Sequence, residues 1–303
     1  MKIIVDELIN NERLDLYLSK ILTDFSRSRL QQEIKNGKIT VDEVKIKPSA
    51  KLKGGEVIVI DDDLNQKSLQ IIPEKLPLEI VWENENMAVI NKPSGMLTHP
   101  TTLELSGTLV NALLYHYGRE NLSDINGEMR LGIVHRLDRN TSGLIMIAKN
   151  NKTHEFLTNK MKEKAFKKNY LAVVRGVIEQ DEFMIKTPIG RHPTQPYKMA
   201  VSENGKESLS IVKVLKRFKS ATLIDVTLVT GRTHQIRVHL SSINHPVYND
   251  TLYGFGKMKI RTEEQVLQSY KLEFPEPFSE HKVLLEIPMD TKLQKVLNFL
   301  EQE

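Results

Sequence analysis

A carboxylate between two arginines is the group in this sequence best suited to chemistry. It is Asp138, flanked by Arg136 and Arg139 in GIVHRLDRNTSGLIMIAKN, residues 132–150. Turn formers and then an apolar strand follow the acid, so we expect it on a loop held still by a sheet. Neighbouring cations favour the ionised form of a carboxylate, which makes Asp138 a candidate for a reactive group. A salt-bridged loop aspartate without a catalytic function fits the same spacing.

A second polar cluster, VTGRTHQIRVHL at residues 229–240, lies where a predicted strand meets a predicted helix. Arg232 is expected at this corner, with Thr233 capping the helix, and its guanidinium could bind a carboxylate or a phosphate through two hydrogen bonds. His234 and His239 raise the question of a metal. Their spacing of five puts them on different sides of a helix, unlike the spacing of four in a helical zinc site, so no metal is expected.

The third stretch, KKNYLAVVRG at residues 167–176, predicts a strand on which Tyr170 and the residues two and four positions later face one way. Tyr170 is either a core aromatic or a platform on which a nucleobase stacks, and both interpretations stay open. Lys167 and Lys168 precede it at the end of a basic run. The chain has no P-loop and no GxSxG elbow, which argues against nucleotide-dependent kinase and serine-hydrolase chemistry.

Two regions with different patterns must position these residues. Residues 1–62 predict a small α+β unit, and residues 78–303 predict a larger catalytic domain. The segment 63–77 between them, which begins with the last of three consecutive acids and contains polar residues and two prolines, is typical of a linker. Strands and helices alternate irregularly in the larger region, which favours an α+β fold with a mixed or antiparallel sheet. Its main predicted strands are 87–91, 144–149, 170–174 and 222–229, and its main predicted helices are 109–117, 152–162 and 234–243.

Composition limits the class of protein. The 303 residues include no cysteine, which excludes disulfides and thiolate zinc sites and favours a reducing compartment. No basic-then-apolar leader opens the chain and no apolar run is long enough to cross a membrane, so a cytoplasmic protein without membrane contact is expected. The net charge of +4 is modest, but basic residues cluster in the first region, including Arg27, Arg29 and Lys35. Such clusters are typical of a surface that binds a polyanion and also of an ordinary solvated face.

Taken in their order along the chain, the three motifs resemble those of the RluA family of pseudouridine synthases. HRLDxxTSGL matches the family signature that contains its nucleophile at Asp138, and NKPSGMLTHP at residues 91–100 is similar to its opening motif. The resemblance implies that Arg232 pairs with the catalytic carboxylate, that Tyr170 contacts the target base and that Arg136 fills the space left by a flipped uridine.

The first 60 residues resemble an S4 RNA-binding domain, and S4 plus a catalytic domain is the arrangement of the RluC and RluD branches. PIGRHPTQPYKMAV at residues 188–201 is particularly similar to the RluD branch. The S4 resemblance implies RNA binding by Arg27, Arg29 and Lys35, and the basic run before Tyr170 adds Lys167 and Lys168 as candidates. The RluD resemblance implies 23S ribosomal RNA, or the pre-ribosomal large subunit, as the partner. We expect a monomer.

The implied reaction turns a uridine over on its sugar, with no redox change and no group gained or lost. We therefore expect no cofactor and no metal. Asp138 would act as nucleophile or as stabiliser of a cationic sugar, and attack on the base or on the sugar fits equally. Two other functions remain: an RNA-binding or ribosome-assembly factor without catalysis, and a nucleoside-cleaving enzyme that uses a carboxylate pair.

Overall fold

A computed structural model describes residues 1–22, 25, 27–61, 71–255, 260, 262 and 264–303 of the chain. The chain forms two compact units, residues 1–70 and 71–303. Residues 62–70, which include positions 63–70 of the predicted linker, lie outside the described residues. Residues 71–77 belong to the second unit, where the Asn111 side chain donates a hydrogen bond to the carbonyl of Ile72 (2.9 Å).

The first unit combines two short helices with two small sheets. The order of its elements is β1 Lys2–Ile4, β2 Glu12–Arg13, α1 Leu14–Ile21, α2 Arg27–Asn36, β3 Ile39–Val41, β4 Lys51–Leu52 and β5 Val57–Ile60. Strand β5 lies between β1 and β3 in one sheet, and β2 pairs with β4 in the other. Leu14 and Leu18 of α1, with Leu30 and Ile34 of α2, are fully buried in one core. Residues four apart lie on the same face of a helix, so each helix buries one apolar face.

One buried carboxylate ties the two helices of the first unit together. Asp15 of α1 is inaccessible to solvent and receives hydrogen bonds from Arg13, Arg27 and Gln31. The hydrogen bond from Arg13, with those from the other two side chains, outweighs burial and holds the pKa of Asp15 far below its usual value. Residues 44–47 form no strand. Only Val44 makes a bridge, to Val41, after a tight turn in which Asp42 and Glu43 have positive φ.

The second unit is built on a large sheet. Its strands are β6 Glu79–Glu83, β7 Met87–Lys92, β8 Ser142–Ala148, β9 Lys167–Arg175, β10 Glu182–Lys186, β11 Ile189–Arg191, β12 Met199–Val201, β13 Leu209–Arg217, β14 Ala221–Leu228, β15 Leu267–Pro275 and β16 Lys282–Glu286. In the described residues the large sheet has nine strands in the order β10-β13-β14-β9-β15-β8-β7-β6, with β16 paired to β15. Strands β11 and β12 form a separate hairpin.

Helices cover both faces of this sheet. They are α3 Leu109–Tyr117, α4 Asn151–Lys162, α5 Gln235–Ser242 and α6 Thr291–Glu301, and side-chain caps at Thr108, Asn150 and Asp290 start three of them. Alternate strand residues face opposite sides. On β9, Tyr170, Ala172 and Val174 join the core beneath α3 and α5, whereas Leu171 and Val173 join the core beneath α6.

The sheet is mixed because of the strand pairing at its centre. Strand β15 pairs antiparallel with β9 on one side and parallel with β8 on the other. Gly143 lies at this parallel contact, and a Cβ atom there would come within 2.1 Å of the Ser269 carbonyl oxygen. Only glycine therefore lets β8 approach β15 closely. The predicted α+β class with a mixed sheet is confirmed, and no helix within the described residues is long and apolar enough to cross a membrane.

Candidate active site

A cavity of about 570 Å³ in the second unit collects most of the residues singled out from the sequence. Its wall includes the loop before β8, the start of β9, the end of β14 and the first turn of α5. Asp138, Tyr170, Arg136, Arg232 and Lys168 all line it. Among the described lining residues Asp138 is the one carboxylate, facing a wall rich in cations. A lone acid in basic surroundings suits catalysis on a polyanion.

Asp138 is held by a buried arginine. Nη1 of Arg237 donates to Asp138 Oδ2 (3.0 Å), while Nε and Nη2 of the same guanidinium bind the two oxygens of Asp250 (2.7 and 2.9 Å). Burial lowers the pKa of Arg237, but the hydrogen bonds and charges of Asp250 and Asp138 outweigh it and raise that pKa above its usual value. Arg237 is thus a permanent cation fixed between two carboxylates. It orients Asp138 through Oδ2, whereas Oδ1 accepts no hydrogen bond from the described residues.

The loop that contains Asp138 is anchored by the segment after β7. Thr98 donates its hydroxyl to the carbonyl of Leu137 (2.8 Å), Ser94 donates to the carbonyl of Asn140 (2.9 Å), and Lys92 donates to the carbonyl of Arg139 (3.0 Å). These contacts bind the backbone on both sides of Asp138. The stretch NKPSGMLTHP therefore anchors the loop of Asp138, whereas the sequence showed only its similarity to the opening motif of the family.

Lys92 is the most unusual of these anchors, because its side chain is fully buried. Its ammonium donates to three carbonyl oxygens, those of Pro93, Met96 and Arg139. Burial lowers the pKa of Lys92 to about 7, against the opposing charges of Asp138 and Glu264. An ammonium has three donors and matches the three acceptors, whereas a neutral amine has only two.

We expect Lys92→Met to lower the free energy of unfolding by about 2 kcal/mol or more, because it leaves three carbonyls without a donor. The single-turnover rate should fall as well, since the loop around Asp138 loses an anchor. Lys160→Met is the control: Lys160 pairs with Glu163 on the exposed face of α4, and losing that pair should cost less than about 1 kcal/mol. Equal effects of the two substitutions in a denaturant titration would contradict the anchoring function.

Tyr170 reaches the cavity from the middle of the sheet. It pairs with Ser269 across β9 and β15, and only 5% of its surface is exposed. Burial raises the pKa of Tyr170 to about 12, a hydrogen bond with Ser269 opposes this, and the charge of Asp138 adds to it. The phenol is therefore protonated at neutral pH. Tyr170 belongs to the same buried core as Leu267 and Ile236 and also lines the cavity.

Similarity to known proteins identifies the family of this chain. A family model described as RNA pseudouridylate synthase matches residues 86–242, and an S4 domain model matches residues 12–58. An uncharacterized RNA pseudouridine synthase of Aquifex aeolicus is 40% identical over 96% of this chain and 94% of its own. The chain belongs to the RNA pseudouridylate synthase family. It is accordingly an RNA-modifying isomerase with an S4 domain before its synthase domain.

Relatives with more specific names are also similar to this synthase. Ribosomal large subunit pseudouridine synthase D of Pseudomonas aeruginosa is 36% identical over 97% of this chain and 94% of its own. Among solved structures, human RNA pseudouridylate synthase domain containing 1 is 25% identical, with a TM-score of 0.57, and the match covers 76% of this chain and 97% of the human one.

The predicted partner of Asp138 is wrong in this synthase. Arg232 does not contact the carboxylate; its Nε donates to the carbonyl of Glu207 (2.9 Å), and Arg237 occupies the predicted place. The reason is the backbone at the corner. His234 is left-handed, with φ of 56°, so α5 begins at Gln235 and Thr233 does not cap it. Arg237, in the first turn of α5, is the arginine that contacts Asp138.

The remaining predicted residues fall into two groups. Arg136 is exposed at the cavity wall and Lys168 lines it, and burial lowers the pKa of Lys168. Lys167, on the opposite face of β9, does not line the cavity and pairs with Glu273 (3.2 Å). In the first unit, Lys35 is exposed at the end of α2, the guanidinium of Arg29 lies over the Phe25 ring (4.7 Å), and Arg27 binds Asp15.

Three residues that hold Asp138 and its loop were not predicted from the sequence: Arg237, Asp250 and Lys92. Arg237 had a signal, since it lies between Ile236 and Val238 on a helix with apolar faces, and a buried arginine requires carboxylate partners. His234 and His239, considered above for a metal, have separate surroundings. His239 is buried against Ser210 and Ser208, whereas His234 lines the cavity beside Asp138.

Proposed function

We propose that this synthase isomerises uridines in large-subunit ribosomal RNA and that Asp138 is its nucleophile. The observation that supports this best is the pairing of Asp138 with Arg237 at the wall of a cavity that also contains Tyr170. A carboxylate held through Oδ2 keeps Oδ1 free to react, in a fixed orientation. Positioning a reacting group in this way lowers the barrier without any cofactor.

The proposed reaction conserves all atoms of the nucleotide. The bond from C1′ of the sugar to N1 of uracil breaks, the base turns, and a bond forms from C1′ to C5. C5 loses a proton to solvent or to a basic group, and N1 takes up one. Asp138 forms a temporary bond to the target nucleotide and leaves again as the carboxylate. Tyr170, protonated and next to the cavity, is suited to stack on the base during its rotation.

The charge of the cavity supports an RNA substrate. Its wall includes Arg136, Lys162, Lys164, Lys168 and Arg232, and such a surface attracts phosphodiesters. A uridine within a stem must be flipped out of its stack to reach Asp138, at a cost of a few kcal/mol. Arg136 is exposed beside the nucleophile, so its planar guanidinium is suited to fill the vacated position.

The choice of ribosomal RNA rests on the relatives named for the large ribosomal subunit, which are similar over nearly the whole chain, and on the S4 domain. On this proposal the exposed Lys35 and the outer edge of α2 contribute phosphate contacts. Arg27, 46% exposed, would add to them while it holds Asp15. The enzyme would then work in the cytoplasm, where ribosomes are assembled.

The test is to map pseudouridines by carbodiimide labelling and primer extension in RNA from a strain that lacks the gene. We expect the loss of a small set of pseudouridines in large-subunit rRNA and their return when the wild-type gene is restored. Transfer RNA and small-subunit rRNA serve as internal controls and should be unchanged. Losses confined to transfer RNA would refute the proposed target and leave the activity standing.

A further inference from the structure

His234 has an unusual place beside the proposed nucleophile. It is the residue before α5, its backbone is left-handed, and its imidazole lines the cavity. Nε2 of His234 lies 3.9 Å from Asp138 Oδ1, while Arg237 binds the other oxygen of the same carboxylate. The imidazole therefore stands at the oxygen that is free to react.

A hydrogen-bond relay determines which nitrogen of His234 carries the proton. The backbone N–H of Met199 donates to the hydroxyl of Tyr253 (2.8 Å), and this hydroxyl lies 2.7 Å from Nδ1 of His234. Burial raises the pKa of Tyr253, so the hydroxyl keeps its single proton at neutral pH. Met199 N–H can only donate, so among the described atoms Nδ1 of His234 is the acceptor within reach of the hydroxyl hydrogen, and Tyr253 donates to it. The proton of His234 then belongs on Nε2.

His234 also stays neutral. Burial lowers its pKa, the charge of Asp138 opposes this, and the charge of Arg237 adds to it, with a net lowering. The 3.9 Å between Nε2 and Asp138 is too long for a hydrogen bond. The Nε2–H of His234 is thus a fixed donor beside the reacting oxygen of Asp138. This donor is available to an atom of the bound nucleotide.

We infer that His234 is a catalytic residue that donates its Nε2 hydrogen bond to O2 of the departing uracil. When the C1′–N1 bond breaks, its electron pair goes to the base, and the negative charge spreads over N1, O2 and O4. A donor fixed in advance at O2 stabilises that charge, and no proton needs to leave the imidazole. This inference rests on the proposed function, because it takes Asp138 as the group that reacts.

The test combines an enzyme variant with a substrate analogue. A synthetic RNA stem-loop contains the mapped target as uridine, as 2-thiouridine or as 2′-deoxyuridine, and single-turnover rates at saturating RNA are measured. The variant is His234→Asn, because asparagine tolerates the left-handed backbone and its shorter amide does not reach the same point. We expect a loss of about 10²-fold on uridine, the magnitude for one such donor, with RNA affinity unchanged.

The analogues distinguish O2 from the ribose hydroxyl. For the wild type, 2-thiouridine should react more slowly than uridine because sulfur is a poor acceptor. This penalty should vanish in His234→Asn, whereas the 2′-deoxy penalty should persist. A 2-thio penalty that is equal in both enzymes, a 2′-deoxy penalty that vanishes instead, or a wild type indifferent to 2-thiouridine would each overturn the inference. Failure of the wild type on the uridine stem-loop would refute the proposed target instead.

Tyr253→Phe provides a second variant that alters the relay and leaves His234 in place. Without the hydroxyl, Nδ1 is free to take the proton, so Nε2 loses part of its donor character. The rate on uridine should fall by about tenfold and the 2-thio penalty should shrink in proportion. An undiminished 2-thio penalty in this variant would contradict the relay.

Discussion

Asp138→Asn is expected to fold, to bind RNA like the wild type and to make essentially no pseudouridine. The amide has nearly the same shape as the carboxylate and can still contact Arg237, but it has neither the charge nor the nucleophilicity. The loss should exceed about 10⁴-fold in single-turnover rate, as for removal of other nucleophiles. The measurement follows release of tritium from C5 of uridine under conditions where every RNA molecule is bound.

A second acid in the same unit serves as the control for that substitution. Asp181 is exposed and pairs with Arg217 away from the cavity, so Asp181→Asn changes charge by the same amount at a site without chemistry. Its rate should stay within about twofold of the wild type. If Asp138→Asn turned over within tenfold of the wild type, Asp138 would not be the nucleophile and the proposed mechanism would be wrong.

Arg237→Lys should produce the other large effect. The guanidinium binds Asp250 through two nitrogens and Asp138 through the third, and the single ammonium of lysine cannot span both carboxylates. We expect the single-turnover rate to fall by about 10²- to 10³-fold, because Asp138 loses its fixed orientation. Arg237→Met leaves two carboxylates without a cation in a buried site and should lower the free energy of unfolding by about 3–5 kcal/mol.

Arg232→Lys is the matched control, since it makes the same change in the same motif. Within the described residues, the side chain of Arg232 donates from Nε to the Glu207 carbonyl and makes no contact with Asp138. Its catalytic rate should stay within a few-fold of the wild type, with any effect appearing in RNA affinity and its salt dependence. Equal catalytic damage from the two lysine substitutions would mean that the contact of Arg237 with Asp138 does not control the chemistry.

Much of the fold could be predicted from the sequence, because apolar periodicity reports burial directly. The helix predicted at residues 109–117 forms with those bounds, and the alternation on β9 turns Tyr170 inwards as expected. Sheet order could not be predicted in the same way. Nothing local to β15 indicates that it lies between β8 and β9, because pairing between distant strands depends on the packing of the whole sheet.

The site shows the same limit at the scale of single residues. The motif around residues 229–240 identified the right helix but the wrong arginine. Spacing alone does not reveal a single left-handed residue, and His234 changes the direction of the chain between Arg232 and Arg237. Lys92 was missed for a different reason. Its acceptors are backbone carbonyls, one of them 47 residues away. Every residue has a carbonyl, so the sequence does not indicate which ones accept a hydrogen bond from Lys92.

The central position of β15 has a consequence for the order of events during synthesis. Asp138 precedes β8 and Tyr170 lies on β9, yet the strand that joins these two in the sheet is translated about a hundred residues later. A nascent chain that has passed Arg237 already contains the residues proposed for catalysis but cannot bring them together, because β15, which lies between their strands, has not yet been synthesised. Such non-local closure is slow. Activity should therefore appear in one step late in translation, after β15 has emerged, and no earlier fragment should modify RNA.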